Sequence, residues 1–279
     1  MEQLQTTNDA KSVIHLLDQL NTQNSAAIWI PSLGKEIAFK QMAAKHQKDV
    51  IRTLAGTKYF PSALVITLHD IIFDTLMDDS VEKENFTTID KLAVLLGLRA
   101  HNVSDTIELT EVERVDGAEI EGEIKKKISI TDHLTRLRKA GDKIKPNTPA
   151  KLSVPGLEVI VSLPKFGTEY KFEKYLHDQL RANSDAGADD IMATVFINTL
   201  TQFIQSVSTN GQTFEYKDYT PDDCVTITQQ LPQRMLQTIS DELDPQSLPA
   251  QKFTKVPFTQ DKVKYIGQIP IDGTFFLAE

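Results

Sequence analysis

The feature that most constrains this chain is a change in the period of its apolar residues. Apart from a short extended pair at Ile28–Phe39, apolar residues up to Leu98 recur at intervals of three and four. Between Thr106 and Leu163 they alternate around turn residues, and from Tyr170 onward the three-and-four spacing returns. The first spacing lines up a helical stripe and the second lines up one face of a sheet. Strands that follow one another, without strict strand–helix alternation, disfavour a doubly wound parallel sheet. The expected class is α+β, with helical parts around short mixed or antiparallel sheets. Four regions follow: 1–27, a helix and linker; 28–99, strand–turn–strand plus helices; 100–165, rich in β; and 166–279, helical and ending in short strands.

Val13, Ile14, Leu16, Leu17 and Leu20 share one stripe, which suits either a docking helix or a marginal terminal one. Ile28-Trp29-Ile30 and Ile37-Ala38-Phe39 flank Pro31-Ser32-Leu33-Gly34, a tight connection between extended segments. Helices are predicted from Met42 to Leu54, from Ser62 to Met77 with Pro61 early in it, and from Thr88 to Leu98. Asp116-Gly117, between Ile107/Leu109/Val112 and Ile120/Ile124/Ile128, predicts a hairpin. Lys143–Ala150 reads as a loop, and Leu152–Leu163 as a strand pair broken at Pro155-Gly156. Further on, helices are expected over Tyr170–Leu180 and Asp189–Val207, the second with Ile191, Val195, Phe196, Leu200, Phe203, Ile204 and Val207 inward. A hairpin at Asn210-Gly211 precedes Thr220-Pro221-Asp222-Asp223, a capping-box variant. Pro232 divides the next helical stretch, and the last thirty residues read as short β runs separated by prolines.

With 279 residues the chain can bury a core without disulfides or metals, and the single Cys224 excludes a disulfide framework or a paired-thiolate zinc site. No run approaches the ~18 apolar residues of a membrane span. Met1 to Lys11 lacks the apolar core of a signal peptide, so the expectation is a soluble protein made in the cytoplasm, with no membrane insertion. A net charge of −9 argues against a dedicated nucleic-acid binder, which needs a concentrated basic face.

Nucleotide-binding glycine loops, a nucleophile elbow and a zinc-protease helix are all missing from the sequence. On a helix, Asp70, Asp74 and Asp78 would share a face beside His69. That face could hold a divalent cation and serve an enzyme, or be the solvated side opposite Leu68, Ile72 and Leu76. The segment from Asn183 to Asp190 resembles a calcium loop without its fifth ligand and has Thr194 in place of the bidentate Glu, so Asp185 or Asp189 is read as a helix cap. Lys125-Lys126-Lys127 has no aromatic neighbours in sequence and reads as a charged strand resistant to aggregation. Cys224 beside Asp222-Asp223 is a poor nucleophile, and the scattered histidines read as surface or capping residues. No catalytic residue, cofactor site or metal site is assigned.

Trp29, Ile30 and Pro31 near one end, and Phe275 and Phe276 at the other, suit either a core or a partner contact. Docking of the two ends would put the terminal β runs in one sheet. The order of segments resembles the baseplate hub protein family of T-even-type contractile-tailed phages. Ile30-Pro31-Ser32-Leu33-Gly34-Lys35, the strand Ile37-Ala38-Phe39 and a helix with Lys45-His46-Gln47-Lys48-Asp49 look like that family's opening. Thr88-Ile89-Asp90-Lys91 with Leu98-Arg99, Gln230-Leu231-Pro232, and Ile269-Pro270-Ile271-Asp272 with Phe275-Phe276-Leu277 follow in the family's order. The resemblance also leads one to expect paired cysteines for a small zinc ribbon in some relatives, whereas residues 251–268 here have none, and it marks Leu134–Lys151 as a lineage-specific loop.

The resemblance implies a structural part in building the baseplate hub, as a hub subunit or an assembly chaperone, with no catalytic residues to transfer. It implies other tail or hub proteins as partners, and the host cytoplasm during assembly and the virion tail baseplate as locations. Trp29, Ile30, Pro31, Phe275 and Phe276 are the expected contact residues or the core that shapes the contact. A tube scaffold or length-measuring role is disfavoured, because no long heptad pattern is present.

Overall fold

The segments flanking Pro31–Gly34 pair as the sequence predicts. In a computed structural model that describes residues 2–56, 60–120, 124–141, 148–183 and 185–277, β1 (Ala26–Ile30) lies antiparallel to β2 (Lys35–Phe39), with Ile28 opposite Ile37. Gly34, at φ +62°, closes the turn by donating its N–H to the Ile30 carbonyl at 2.9 Å. Alternation then buries Ile28, Ile30, Ile37 and Phe39 on one face.

That face rests on α4 (Thr88–Asn102), which buries Ile89, Val94, Leu95, Leu96 and Leu98 in the middle of the first core. Gly97 lets the strand come close, since a Cβ there would sit 2.9 Å from the Ile28 side chain. Asp90 couples the two elements. Its carboxylate is fully buried and accepts from the Ser32 N–H at 2.8 Å and, closing a capping box, from the Thr87 N–H at 2.7 Å and the Thr87 hydroxyl at 2.8 Å. α3 (Phe60–Thr75) and α5 (Ile130–Ala140) pack on α4, and α2 (Ala44–Gly56) packs on α3; α5 follows two short strands, β3 (Thr106–Glu108) and β4 (Thr110–Arg114), and their successor β5 (Lys127–Ser129).

A second core lies under the sheet β6 (Ala150–Val154), β7 (Leu157–Val161), β8 (Ile204–Thr209), β9 (Gln212–Glu215), with that spatial order and antiparallel throughout. Helices α6 (Phe166–Ala182), α7 (Ala188–Phe203), α8 (Pro221–Gln229) and α9 (Gln233–Thr254) complete this half. The predicted Thr220 capping box is formed, and the strands meet at Asn210 and Gly211, with φ +50° and +74° as a two-residue hairpin requires. The chain then returns to the first core: β10 (Lys255–Gln260) and β11 (Val263–Gln268) add to β4, and Phe275 and Phe276 close beneath α4. The architecture is α+β.

Several expectations are corrected. Asp116-Gly117 does make a turn, the Gly117 N–H donating to Arg114, but no tight hairpin follows. β4 pairs with β11, while β5 pairs with β3, placing Ile107 opposite Ile128. The terminal β runs therefore belong to separate sheets, although both feed the first core. The predicted helix to Val207 ends at Phe203, because Ile204–Val207 completes a ladder with β7. Part of the loop expected over Leu134–Lys151 is α5, capped by Ser129 and burying Ile130, His133 and Leu137; residues 142–147 lie outside the described ones. Pro245 and Pro249 sit inside α9 and remove two intrahelical bonds; burial of Pro249, Ala250 and Phe253 offsets the loss.

Replacing Asp90 with Ala should cost roughly 3 kcal/mol, because three N–H and O–H donors lose a charged acceptor inside the protein. Urea unfolding of the variant against the parent chain measures it.

Candidate functional site

Of the five expected contact residues, only one reaches the surface. Ile30 and Pro31 are buried at the end of β1, Phe275 is 2% exposed and Phe276 not at all. The two phenylalanines meet edge to face at 4.9 Å, and the Arg99 guanidinium carbon lies 5.6 Å from the Phe275 ring centre. Trp29 points the other way along the alternating strand and is half-buried. It lines a groove of about 530 Å³ between β1, α4 and α5, whose floor includes Gly97 and Ala100 and whose far wall is Leu134. An Arg138–Glu36 ion pair spans its rim.

The acidic set does not converge. Thr75 ends α3, so Asp78 falls beyond the helix and caps its own turn, accepting from the Ser80 N–H at 3.0 Å. Asp74 pairs with Lys45 at 2.7 Å, and that bond holds its carboxyl below the usual range. Asp70 accepts from the Tyr170 hydroxyl at 3.0 Å. Among the described residues no group of three or more His, Cys, Asp or Glu is placed to hold a metal ion. The helix-face cation site therefore loses its geometry, because each carboxylate has a separate partner. In the calcium-loop-like segment the residue that caps α7 is Gly187, with Asp189 and Asp190 in the first turn.

The histidines are corrected too, since His46, His69 and His133 are buried. His133 Nε2 donates to the Phe253 carbonyl at 3.0 Å and ties α5 to α9. His69 sits in a buried charge cluster that sequence spacing does not reveal: its Nδ1 meets the Val65 carbonyl at 2.7 Å and its Nε2 lies 3.2 Å from Glu169, which also receives Lys91 at 2.5 Å. Burial by itself would push the Glu169 carboxyl up, but Lys91 and His69 outweigh it and hold it at about 2. One turn on, burial and the charge of Glu169 raise the Glu173 carboxyl, which accepts from Gln202 at 3.0 Å.

Cys224 is buried, and its thiol is pushed up to about 11, by burial first and with Asp223 adding to it; such a thiol is inert. Lys126 has an aromatic neighbour after all, but one supplied by the fold: its ammonium lies 5.8 Å from the Phe258 ring centre, in the β10–β11 hairpin. The surface that sequence reasoning misjudged is apolar. Met192, Val195 and Phe196, with the latter two expected inside, face solvent on α7, while Asn198, Leu200, Thr201 and Gln202 form its buried side. On α1 (Glu2–Gln23), every residue from Lys11 to Leu20 is exposed, including the whole apolar stripe.

The molecule thus offers grooves and apolar faces and no convergent catalytic cluster among the described residues. Among known families, the one described as T4 bacteriophage base plate protein matches residues 24–252. The chain belongs to this family. Neither the curated proteins nor the solved structures give a match. Membership makes it a structural component of a phage baseplate, whose contacts are with other baseplate proteins. No helix among the described residues is long and apolar enough to cross a membrane. The matched span covers the hairpin, α4, both halves of the buried charge cluster and most of α9; α1 and the Phe275-Phe276 end lie outside it.

Glu169→Gln should destabilise the protein by about 3 kcal/mol, the usual cost of stripping one partner from a buried pair. The folded carboxyl titrates near 2 and the free one near 4.5, so its contribution is full above pH 4.5 and is lost as pH falls toward 2. The urea midpoint of the parent chain should fall as pH drops through that window, and that of Glu169→Gln should change less over the same range.

Proposed function

We propose that this protein is a non-enzymatic component or assembly factor of the baseplate hub of a contractile phage tail, and that it works by presenting folded surfaces to other tail or hub proteins. Family membership supports the baseplate setting. The observation that carries the contact role is the solvent-facing apolar stripe of α1, from Val13 at 54% exposed to Leu20 at 49%, because a monomer rarely leaves a contiguous apolar row in water. The polar groups point the same way: the buried charges are spent on one another, as structural ion pairs are, and the one thiol is quenched by burial.

Within this reading Trp29 is the direct contact. Its ring and the small residues of the groove floor suit an inserted apolar side chain, with the Glu36–Arg138 pair as polar rim. Ile30, Pro31, Phe275 and Phe276 act behind it, by holding β1 against α4. The protein meets its partners in the host cytoplasm, during assembly. Mass spectrometry of purified particles against infected-cell lysate separates a resident subunit from a factor that departs.

Trp29→Ala should lower recovery of identified tail proteins in a pull-down at least several-fold and leave the melting temperature near that of the parent. Phe275→Ala with Phe276→Ala should instead cost about 3 kcal/mol or more per ring and compromise the fold itself. Unchanged recovery with Trp29→Ala removes the groove from the proposal.

A further inference from the structure

The outer strands of a sheet carry unpaired main-chain groups, and proteins guard them with charges, prolines or cover. Among the described residues every edge strand but one has such a guard in its own sequence, as Glu108 is in β3, Lys151 in β6 and Pro257 in β10. The exception is β1, Ala26-Ala27-Ile28-Trp29-Ile30, which holds neither a charge nor a proline.

The hydrogen bonds of the hairpin show which side of β1 is open. The Ala38 carbonyl of β2 accepts from the Met77 N–H at 3.1 Å, and the Lys40 N–H donates to the Thr75 carbonyl at 2.8 Å. The main chain of Ala38 thus points away from β1, and the chain leaving α3 closes the outer side of β2. Ala27 stands opposite Ala38, so the two form a non-hydrogen-bonded pair, and Trp29 opposite Glu36 is the next such pair along the ladder. The N–H and C=O of Ala27 and Trp29 therefore point away from β2, and among the described residues no hydrogen bond meets them there.

They open onto the groove of about 530 Å³ already described. Its lining includes Ile28 from the buried face of β1 as well as Ala27 and Trp29 from the other face, so it follows the edge of the strand. Ser25 to Trp29 all line it, a length of about 13 Å at ~3.3 Å per residue. We propose that an extended segment of a partner tail protein adds here as a third strand, bonding to the main chain of Ala27 and Trp29. This deepens the reading of the Trp29 groove as the contact, and rests on it.

The walls state the chemistry of the segment. Gly97 and Ala100 leave room beneath the added strand, and Leu134 stands across from β1, so side chains on that face of the segment are apolar. The two charges at the rim, Glu36 and Arg138, are spent on each other, and His101 is bonded to the Asn24 carbonyl at 2.7 Å. An uncharged segment of four or so residues fits that lining. A second copy of this chain does not: its own β1 edge lies recessed behind its own α5, and two recessed edges cannot meet.

Overlapping peptides that cover the phage's own tail proteins, titrated against the full chain by fluorescence anisotropy, supply the test. At least one should bind, and in that complex hydrogen exchange should slow at the Ala27 and Trp29 amides and stay unchanged at Ile28 and Ile30, which already bond to β2. Ala27→Pro removes one outward N–H, leaves the β2 ladder intact and should weaken that peptide at least about tenfold. Ala27→Ser keeps the main chain and should bind within about twofold of the parent. Circular dichroism melts report whether both variants fold, and if the proline variant does not, the exchange pattern of the parent chain decides.

Strand addition is overturned if no peptide binds, if binding leaves the Ala27 and Trp29 amides exchanging as before, or if Ala27→Ser loses as much as Ala27→Pro. A peptide lost with Trp29→Ala but kept with a folded Ala27→Pro also overturns it, while leaving Trp29 as the contact. The reverse pattern supports strand addition and removes the Trp29 side chain from the contact. A parent chain that dimerises in sedimentation, with the dimer abolished by Ala27→Pro, overturns the proposal in favour of a second copy at the edge.

Discussion

A carboxylate kept charged inside the protein places strict demands on everything around it. Glu169, on α6, can stay ionised there only because Lys91 from α4 and His69 from α3 come within 2.5 Å and 3.2 Å of it. Losing either partner strands a buried charge, so the three helices are held in one relative placement. The same turn of α6 brings Phe166 against His69 and Phe73, with ring centres 4.2 Å and 4.9 Å apart, and the next turn brings Glu173 to Gln202 of α7. A polar chain from α4 to α7 thus runs alongside the apolar packing and sets its register.

The consequence is a body with two cores that behave as one support. Two helices cross between them. α6 places Phe166 in the first core and Phe172 in the second, and α9 places Met235 and Ile239 in the second and Phe253 in the first. α9 spans about 33 Å at 1.5 Å per residue, long enough to reach both. Helices shared in this way keep the surfaces on the two halves at a constant separation. Against that support, α1 projects with an uncovered face, and α7 carries another on the far side of its packed one.

Local features were readable where the chemistry is local. Pro31–Gly34, Asn210-Gly211 and Thr220–Asp223 all have the backbone that their residue types prefer, and the stripes of α3 and α4 pack inward as their spacing requires. Reading failed where a segment satisfied two periods or where a distant partner decided. Ile204 and Val207 suit a helix face and a strand face alike, and the open edge of β7 drew them into a sheet. The Asp116-Gly117 turn is real, but the strand that pairs with β4 lies about 150 residues further on, which no local pattern encodes. The prolines of the last thirty residues read as separators of short β runs because propensity is local, whereas Pro249 lies inside α9, where the burial that outweighs it comes from distant segments.

For the candidate site the division is the same. Aromatic and apolar content marked Trp29, the Phe275-Phe276 pair and the stripe of α1, but exposure is a property of the assembled molecule, and it separated Trp29 from the other expected contacts. The sequence by itself determined the α+β class, the caps and turns, the want of catalytic motifs and the amphipathic faces, because each rests on residues within a few positions of one another. Only the tertiary structure decided which strands pair, which face of α7 is wet and that Lys91, His69 and Glu169 meet, because those depend on contacts between segments far apart along the chain.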